Sequence, residues 1–296
     1  MRRLAAVWVT GALVIGCATT TPYVGQGPHR QLTRGAAVPL VDFLGNVLAL
    51  PTKLILWNRR FSNHTISEPT EARLVQYLDS RSLPAFEDTT YRLNQYAPFG
   101  DLGALMRNQH VAWPYRLLLG LPVTVIIDVL LPARLFPWGD YFNPYTNIAH
   151  LYSDEPAVVL HEAGHAYDFA QKRYKGTYAA ARIIPFVDLY QEWRATDEAV
   201  DYLIELDDRR TEFRAYKTLW PAFGVYAGGY VLPPFGNAAG VVVGHAVGRF
   251  KAHRRQRYYD ELDAALQATT ISPPPAPELS PVPALEPVDA QPPAGN

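Results

Sequence analysis

The sequence has one cysteine, two methionines and a formal net charge of −1. A single thiol, Cys17, forms no disulfide within the chain, so no cross-link framework supports the fold. Nor can it build the multi-thiolate sites of zinc ribbons and fingers. The 27 Lys and Arg offset 28 Asp and Glu, which leaves no basic field for nucleic acid. Long hydrophobic runs are missing too. Residues 117–131 are interrupted by Pro122 and Asp128, and residues 219–248 are split by Pro233 and Pro234. Each piece falls short of the roughly 20 residues needed to span a bilayer. No internal repeat is apparent. At 296 residues, 48% hydrophobic and 19% charged, the chain is that of an ordinary globular protein with a sizeable core.

What is present begins at the N-terminus. Met1-Arg2-Arg3 is a short basic region, and Leu4 to Ile15 is an apolar stretch of secretory length. It ends in Val14-Ile15-Gly16-Cys17, which resembles a bacterial lipobox. That resemblance implies a signal peptide over 1–16, acylation of Cys17 and attachment to membrane through the N-terminal lipid. Acylation uses the only thiol and leaves none for a cysteine nucleophile. Ala18, standing where inner-membrane lipoproteins of the enteric type carry Asp, implies an outer-membrane address facing the periplasm. Residues 17–36 then read as a lipidated tether, and 37–270 as the folded domain. The nine prolines and absent aromatics of 272–296 mark a disordered, Pro-rich tail over 271–296.

Within the domain, apolar spacing from Val38 to Trp57 predicts an amphipathic helix, and Glu71 to Ser80 another. Tyr91 to Tyr96 reads as a short strand, and the β-branched run Val123 to Val129 as a buried one. Asn143-Pro144 marks a turn, Asn147 to Ser153 a strand. Asp154 or Ser153 can N-cap the helix that follows, with Pro156 in its first turn. A further helix runs from about Phe186 to Leu206. Residues 219–248 contain no Asp, Glu, Lys or Arg and carry Gly236, Gly240, Gly244 and Gly248 at i, i+4 spacing. Such a stripe lets a helix approach closely, within an apolar helical hairpin over the core, in a membrane-dipping segment or in self-association. The basic run 249–257 reads as a solvated helix face.

The stretch VVLHEAGHAYDF, residues 158–169, carries the chemistry. His161 and His165 are four apart, so on a helix both imidazoles reach one ion. Zinc takes such nitrogen ligands and leaves a position open in catalytic sites. Glu162, beside the first histidine, is placed to accept a proton. Except for Glu162, the helix is uncharged between Glu155 and Asp168, as a buried helix should be. The metzincin continuation is excluded because Asp168 and Gln171 stand where it needs Gly and His.

The order of strand, HExxH helix and glutamate helix resembles a minimal gluzincin, the thermolysin-like class of zinc metallopeptidases, over residues 90–206. The implied fold class is α+β and zincin-like. It comprises a small mixed sheet with an edge strand, the metal helix and a glutamate helix, followed by the Gly-rich apolar hairpin over 219–248. In that family the third ligand is a glutamate in an ExxA pattern. Glu192-Trp193-Arg194-Ala195 fits it better than Glu198, which has Asp201 at the alanine place. Thr196, four after Glu192, departs from the acidic or amide residue common there. The resemblance further implies that Asn147 to Ser153 is the edge strand that pairs with substrate. It also makes Asp168 an orienting residue behind the ligands, beside the plainer reading of a capping or salt-bridge residue, and calls for an oxyanion-stabilising His or Tyr, for which Tyr230 and His245 are candidates. One Zn2+, held by His161, His165 and Glu192 with Glu162 as base, would hydrolyse a peptide or protein substrate. Two other readings stay open: a lipid-anchored assembly or scaffold protein with a structural or vestigial zinc site, and a zinc hydrolase of a non-peptide amide.

Overall fold

The computed structural model describes residues 29–231, 233 and 235–271. The expected signal peptide, Cys17 and residues 272–296 of the expected Pro-rich tail lie outside the described residues. The architecture is mixed α+β, mostly helical around a small four-stranded sheet. Strand β1 is Leu32–Arg34, β2 is Thr90–Leu93, β3 is Tyr141–Asn143 and β4 is Ile148–Leu151. Their order is β1-β2-β4-β3, with β1, β2 and β4 parallel and β3 antiparallel to β4. The strand before the metal helix is therefore internal. The edge beside it is β3, because the Asn143-Pro144 turn folds β3 back onto β4. Asn143 closes that turn by accepting the Tyr145 amide at 3.0 Å, and Asn147 takes the positive φ of 57° that suits asparagine.

The first apolar segment forms two helices, α1 (Pro39–Leu48) and α2 (Leu50–Leu56), bent by 48° where Pro51 follows the break. Helices α3 (Glu68–Ser80) and α4 (Pro84–Glu87) precede β2, and α5 (Pro98–Arg107) follows it. Residues 123–129, expected as a buried strand, lie instead in α6, Trp113–Leu130, which is only 17% buried. Periodicity does not separate a short apolar strand from a helix. Pro122 does not end this helix, because the turns on either side of it open to the wider π form at Arg116–Gly120 and Thr124–Leu130.

Helix α7, Pro156–Gln171, is the centre of the fold. Twelve of its 16 residues are buried, so it is enclosed on all sides rather than resting one face on a sheet. Its N-cap is Glu155, whose side chain makes no capping hydrogen bond. The expected caps are engaged elsewhere. Asp154 accepts from Ser67 and Thr70 hydroxyls at 2.5 and 2.6 Å, and the Ser153 hydroxyl donates to Asp140. Leu160, Ala163 and Ala166 share a core with Leu74 and Tyr77 of α3, Phe86 of α4 and Leu151 of β4. Each fully buried leucine there contributes about 1.5–3 kcal/mol.

After α8 (Lys175–Ala181) comes α9, Val187–Glu205, which buries Glu192, Ala195, Thr196, Ala199 and Leu203 on one stripe against α7. Asp208 caps α10, Arg209–Gly229, by accepting the Thr211 amide at 3.1 Å. Helix α11 runs Phe235–Ile271. Its glycines face α10 backbone: a Cβ on Gly240 would lie 2.0 Å from the Gly224 carbonyl oxygen, and one on Gly236 2.1 Å from that of Gly228. Gly244 and Gly248 meet Trp220 and Tyr216 in the same way, so the glycine stripe is used within the chain. The basic run after it is also engaged, with Arg255 donating to Glu212 at 2.6 Å and Lys251 lying 4.5 Å from the Trp220 ring centre. These contacts belong to a compact unit ending at Arg255, and Gln256, within α11, begins a second unit.

Candidate metal centre

Two helices build the site. On α7, the i, i+4 spacing sets the His161 and His165 rings 4.6 Å apart, edge to face. On α9, Glu192 points at both of them. Its Oε2 is 3.1 Å from His161 Nε2, and its Oε1 is 3.4 Å from His165 Nε2. One ligand atom from each of the three residues lies within 4.8 Å of the others. Close approach of the helices makes this possible. A Cβ on Gly164 would lie 2.9 Å from the Ala195 carbonyl oxygen and 3.3 Å from Ala195 Cα. Gly164 and Ala195, the small residues inside the two motifs, are the contact point.

Glu198, the other candidate ligand, faces away. Its carboxylate accepts from the Tyr77 hydroxyl and from Arg81 Nε, each at 3.0 Å, so it ties α9 to α3. Thr196 lies behind the site, with its hydroxyl 3.3 Å from His161 Nδ1. With Nδ1 bonded to that hydroxyl, Nε2 is the nitrogen turned to Glu192: it donates to the carboxylate when protonated, and its lone pair is free for a cation placed between the two. The departure at position 196 thus places a hydroxyl on the ligand imidazole. Asp168 takes the salt-bridge role. It accepts from Lys172 at 2.8 Å, from Arg194 Nε at 3.2 Å and from the Tyr178 hydroxyl. It holds α8 and α9 against α7, and among the described residues no hydrogen bond joins it to either ligand imidazole.

The electrostatics follow from burial and from the carboxylates. Burial pushes the Glu162 carboxyl up to about 8, with the charges of Glu192 and Asp140 adding to the rise. Burial resists ionisation of Glu192 as well. There His165 and Arg182 prevail and hold the carboxyl well below the usual range. Burial lowers His165 to about 4. At His161 burial acts in the same direction, but the hydrogen bond to Glu192 wins and raises it. Arg182 of the loop after α8 donates to Glu192.

The sequence matches no family model and no curated protein, and no solved structure matches the chain. The site is read from its own chemistry.

Two imidazoles and one carboxylate converging on a point are the donor set of a three-ligand zinc site. The buried Glu192 carboxylate between two imidazoles, with Glu162 beside them, gives a divalent cation the negative charge it needs, so the residues fit the metal. They form the floor of a cavity of about 610 Å³. Its walls are largely apolar: Leu119, Val123 and Ile126 of α6, Phe142 of β3, Phe223 and Tyr226 of α10.

Neither candidate for the oxyanion role faces this cavity. The Tyr230 hydroxyl donates to Asp188 at 2.6 Å. His245 Nε2 sits 2.8 Å from the Ile55 carbonyl oxygen, and its ring stacks on Trp57. Arg182 and Tyr226 line the cavity instead. Tyr226 lies one helical turn before Tyr230, and no local motif marks either residue.

A second buried group, Asp101, Asp128 and His150, also brings ligand-type atoms within 4.8 Å. It already holds a cation, because Arg92 Nη1 is 2.6 Å from Asp101 Oδ1. Asp128 accepts from the Tyr141 hydroxyl at 2.5 Å and the Asn143 amide at 2.8 Å. This network fixes the edge strand β3 to α6 and so shapes one wall of the cavity.

Proposed function

We propose that the protein is a zinc-dependent metallopeptidase of the cell envelope, zincin-like in its catalytic core and anchored to membrane by an acylated Cys17. The observation that carries this reading is the convergence of His161, His165 and Glu192 beside Glu162 at the floor of an apolar cavity. His161, His165 and Glu192 would hold a zinc ion, which when bound would supply Lewis acidity to a substrate carbonyl and to water. Glu162 takes a proton from that water and returns it to the leaving amine. A cation among the ligands favours the ionised form of Glu162 and counters the effect of its burial. Arg182 and Tyr226, the cationic and hydroxylic groups at the wall, are the residues suited to hold a developing oxyanion. An extended peptide can add to the sheet at β3, the edge strand along the cavity.

Glu162 also favours a catalytic over a purely structural zinc, since a structural site needs no base beside its first ligand. The test is cleavage of a peptide library by zinc-loaded protein. Wild type cleaves, Glu162→Gln retains zinc and loses at least about 100-fold in rate, and the cleaved positions share apolar side chains. A library left intact by folded, zinc-loaded wild type refutes the peptidase reading, and the amide hydrolase and scaffold readings then take its place.

A further inference from the structure

We propose that α1, α2 and α6 form a docking face for the surface of a lipid bilayer, independent of the N-terminal acyl group, with the cavity mouth set at that surface. The inference goes beyond the peptidase reading. It rests on the proposed acylation of Cys17 for the choice of lipid as the occupant.

The composition of the exposed surface carries the argument. Every exposed residue between 37 and 57 is apolar, and so is every exposed residue between 112 and 138. On α1 and α2 the protruding side chains include Leu40 (69% exposed), Leu54 (72%) and Trp57 (70%). On α6 and the loop after it they include Trp113 (66%), Leu118 (71%) and Trp138 (57%). Water-facing helices carry charge on their outer face, and these two segments invert that rule. The acids within them are turned inward: Asp42 accepts from Arg134 Nε at 2.9 Å, and Asp128 is buried. The Arg134–Asp42 pair also joins the loop after α6 to α1, where a Cβ on Gly45 would lie 2.4 Å from the Arg134 carbonyl oxygen. An exposed apolar area of this kind marks an interaction surface, and tryptophans at its margin match the membrane–water boundary.

The geometry favours lying in the interface over crossing the bilayer. Helix α1 has 10 residues and α2 has 7, with the 48° bend between them. Both are far below spanning length. Helix α6 gives one side to protein, where Leu119, Val123 and Ile127 line the cavity, and the other side to the exterior. Helix α6 thus lies along the protein's surface, apolar on its outer side as well as on the side turned to the cavity. The chain outside the described residues points to lipid as the occupant. Leu32 of β1 follows Cys17 by 15 residues, so an acylated Cys17 holds the body within about 50 Å of the membrane.

A consequence concerns what the cavity receives. Ile126 and Trp138 are half-exposed and also line it, as does Ile183 at 69% exposure. Ile126 of the docking face and Trp138 of the loop after it thus stand both at the exterior and at the cavity. An apolar polypeptide segment at the bilayer surface reaches the ligand site without passing through water.

The test is vesicle flotation of the chain from Ala18 onward, which carries every described element but no acyl group. The vesicles are phosphatidylethanolamine–phosphatidylglycerol in one arm and phosphatidylcholine in the other. Wild type is expected to float with both. The double variant Leu54→Glu, Leu118→Glu, whose changes lie at exposed positions outside the cavity, is expected to bind roughly tenfold or more weakly with unchanged circular dichroism and unchanged zinc content. Wild type that stays at the bottom in both arms overturns the proposal. So does a double variant that floats as well as wild type, or wild type that forms a dimer broken by the same changes without floating. Zinc content is read separately, so protein that floats without zinc sinks the peptidase and leaves the docking face standing.

Discussion

Substitution of Gly164 by alanine is expected to separate the two ligand helices. Gly164 lies between His161 and His165, and its neighbour Ala195 lies between Glu192 and Thr196. The added Cβ would sit 2.9 Å from the Ala195 carbonyl oxygen and 3.3 Å from its Cα. Both are backbone atoms and cannot rotate away, so α9 must withdraw by roughly 0.5 Å or more to restore ordinary contact near 3.5 Å. Overpacking of this kind costs about 1–3 kcal/mol, and alanine returns about 1 kcal/mol through helix propensity. The net loss is about 0–2 kcal/mol, a fall in Tm of no more than about 8 °C. The site suffers more than the fold, because ligands must be held within about 0.5 Å of working geometry. Zinc affinity, measured by competition with a chromophoric chelator, should fall at least about tenfold in a protein that still folds. Gly103→Ala is the control. Its Cβ meets only the flexible guanidinium of Arg107, at 3.0 Å, so zinc affinity should not change. A Gly164→Ala protein with wild-type affinity would refute the claim that this contact sets the ligand distances.

Other outcomes follow from single contacts. Thr196→Val removes the hydroxyl 3.3 Å from His161 Nδ1 at nearly constant volume. Zinc affinity should drop by about 10–100-fold, with little change in Tm measured without metal. The Asp101 carboxyl is pushed up to about 7 by burial, against the pull of Arg92. The folded protein therefore keeps a proton that the unfolded chain releases near pH 4. The stability linked to that proton is full below about pH 4 and is lost as pH rises through 7. Melting curves from about pH 5 to 8 should show a steeper decline for wild type than for Asp101→Asn, and parallel curves would contradict the assignment.

The legible part of this protein is local. The i, i+4 histidines, the glutamate beside them and the uncharged helix around them lie in one stretch, and helical geometry alone brings those imidazoles together. Glu192 is singled out by the ExxA pattern that the gluzincin resemblance implies, and the fold places the two small residues Gly164 and Ala195 against each other. Glu198 sits six residues later on the same helix, but that turn points at Tyr77 and Arg81.

What the sequence hid depends on pairing at a distance. Arg182 and Tyr226 reach the site from a loop and from α10, with no spacing rule to mark them. The exchange of edge strand arises because β2 pairs with β4 across more than fifty residues, leaving β3 outermost. Residues 123–129 look like a strand by composition. They are a helix because the preceding turns already wind that way, and their exposed side shows that apolar content alone does not imply burial.

Metal content of the folded chain from Ala18 onward tests the central claim most directly. Wild type, Glu192→Ala and Glu198→Ala would be supplied with zinc, dialysed and assayed. The expected result is about one zinc per wild-type chain, retained in Glu198→Ala and lost in a folded Glu192→Ala protein. Zinc absent from folded wild type, or retained without Glu192, would contradict a site built on these three ligands.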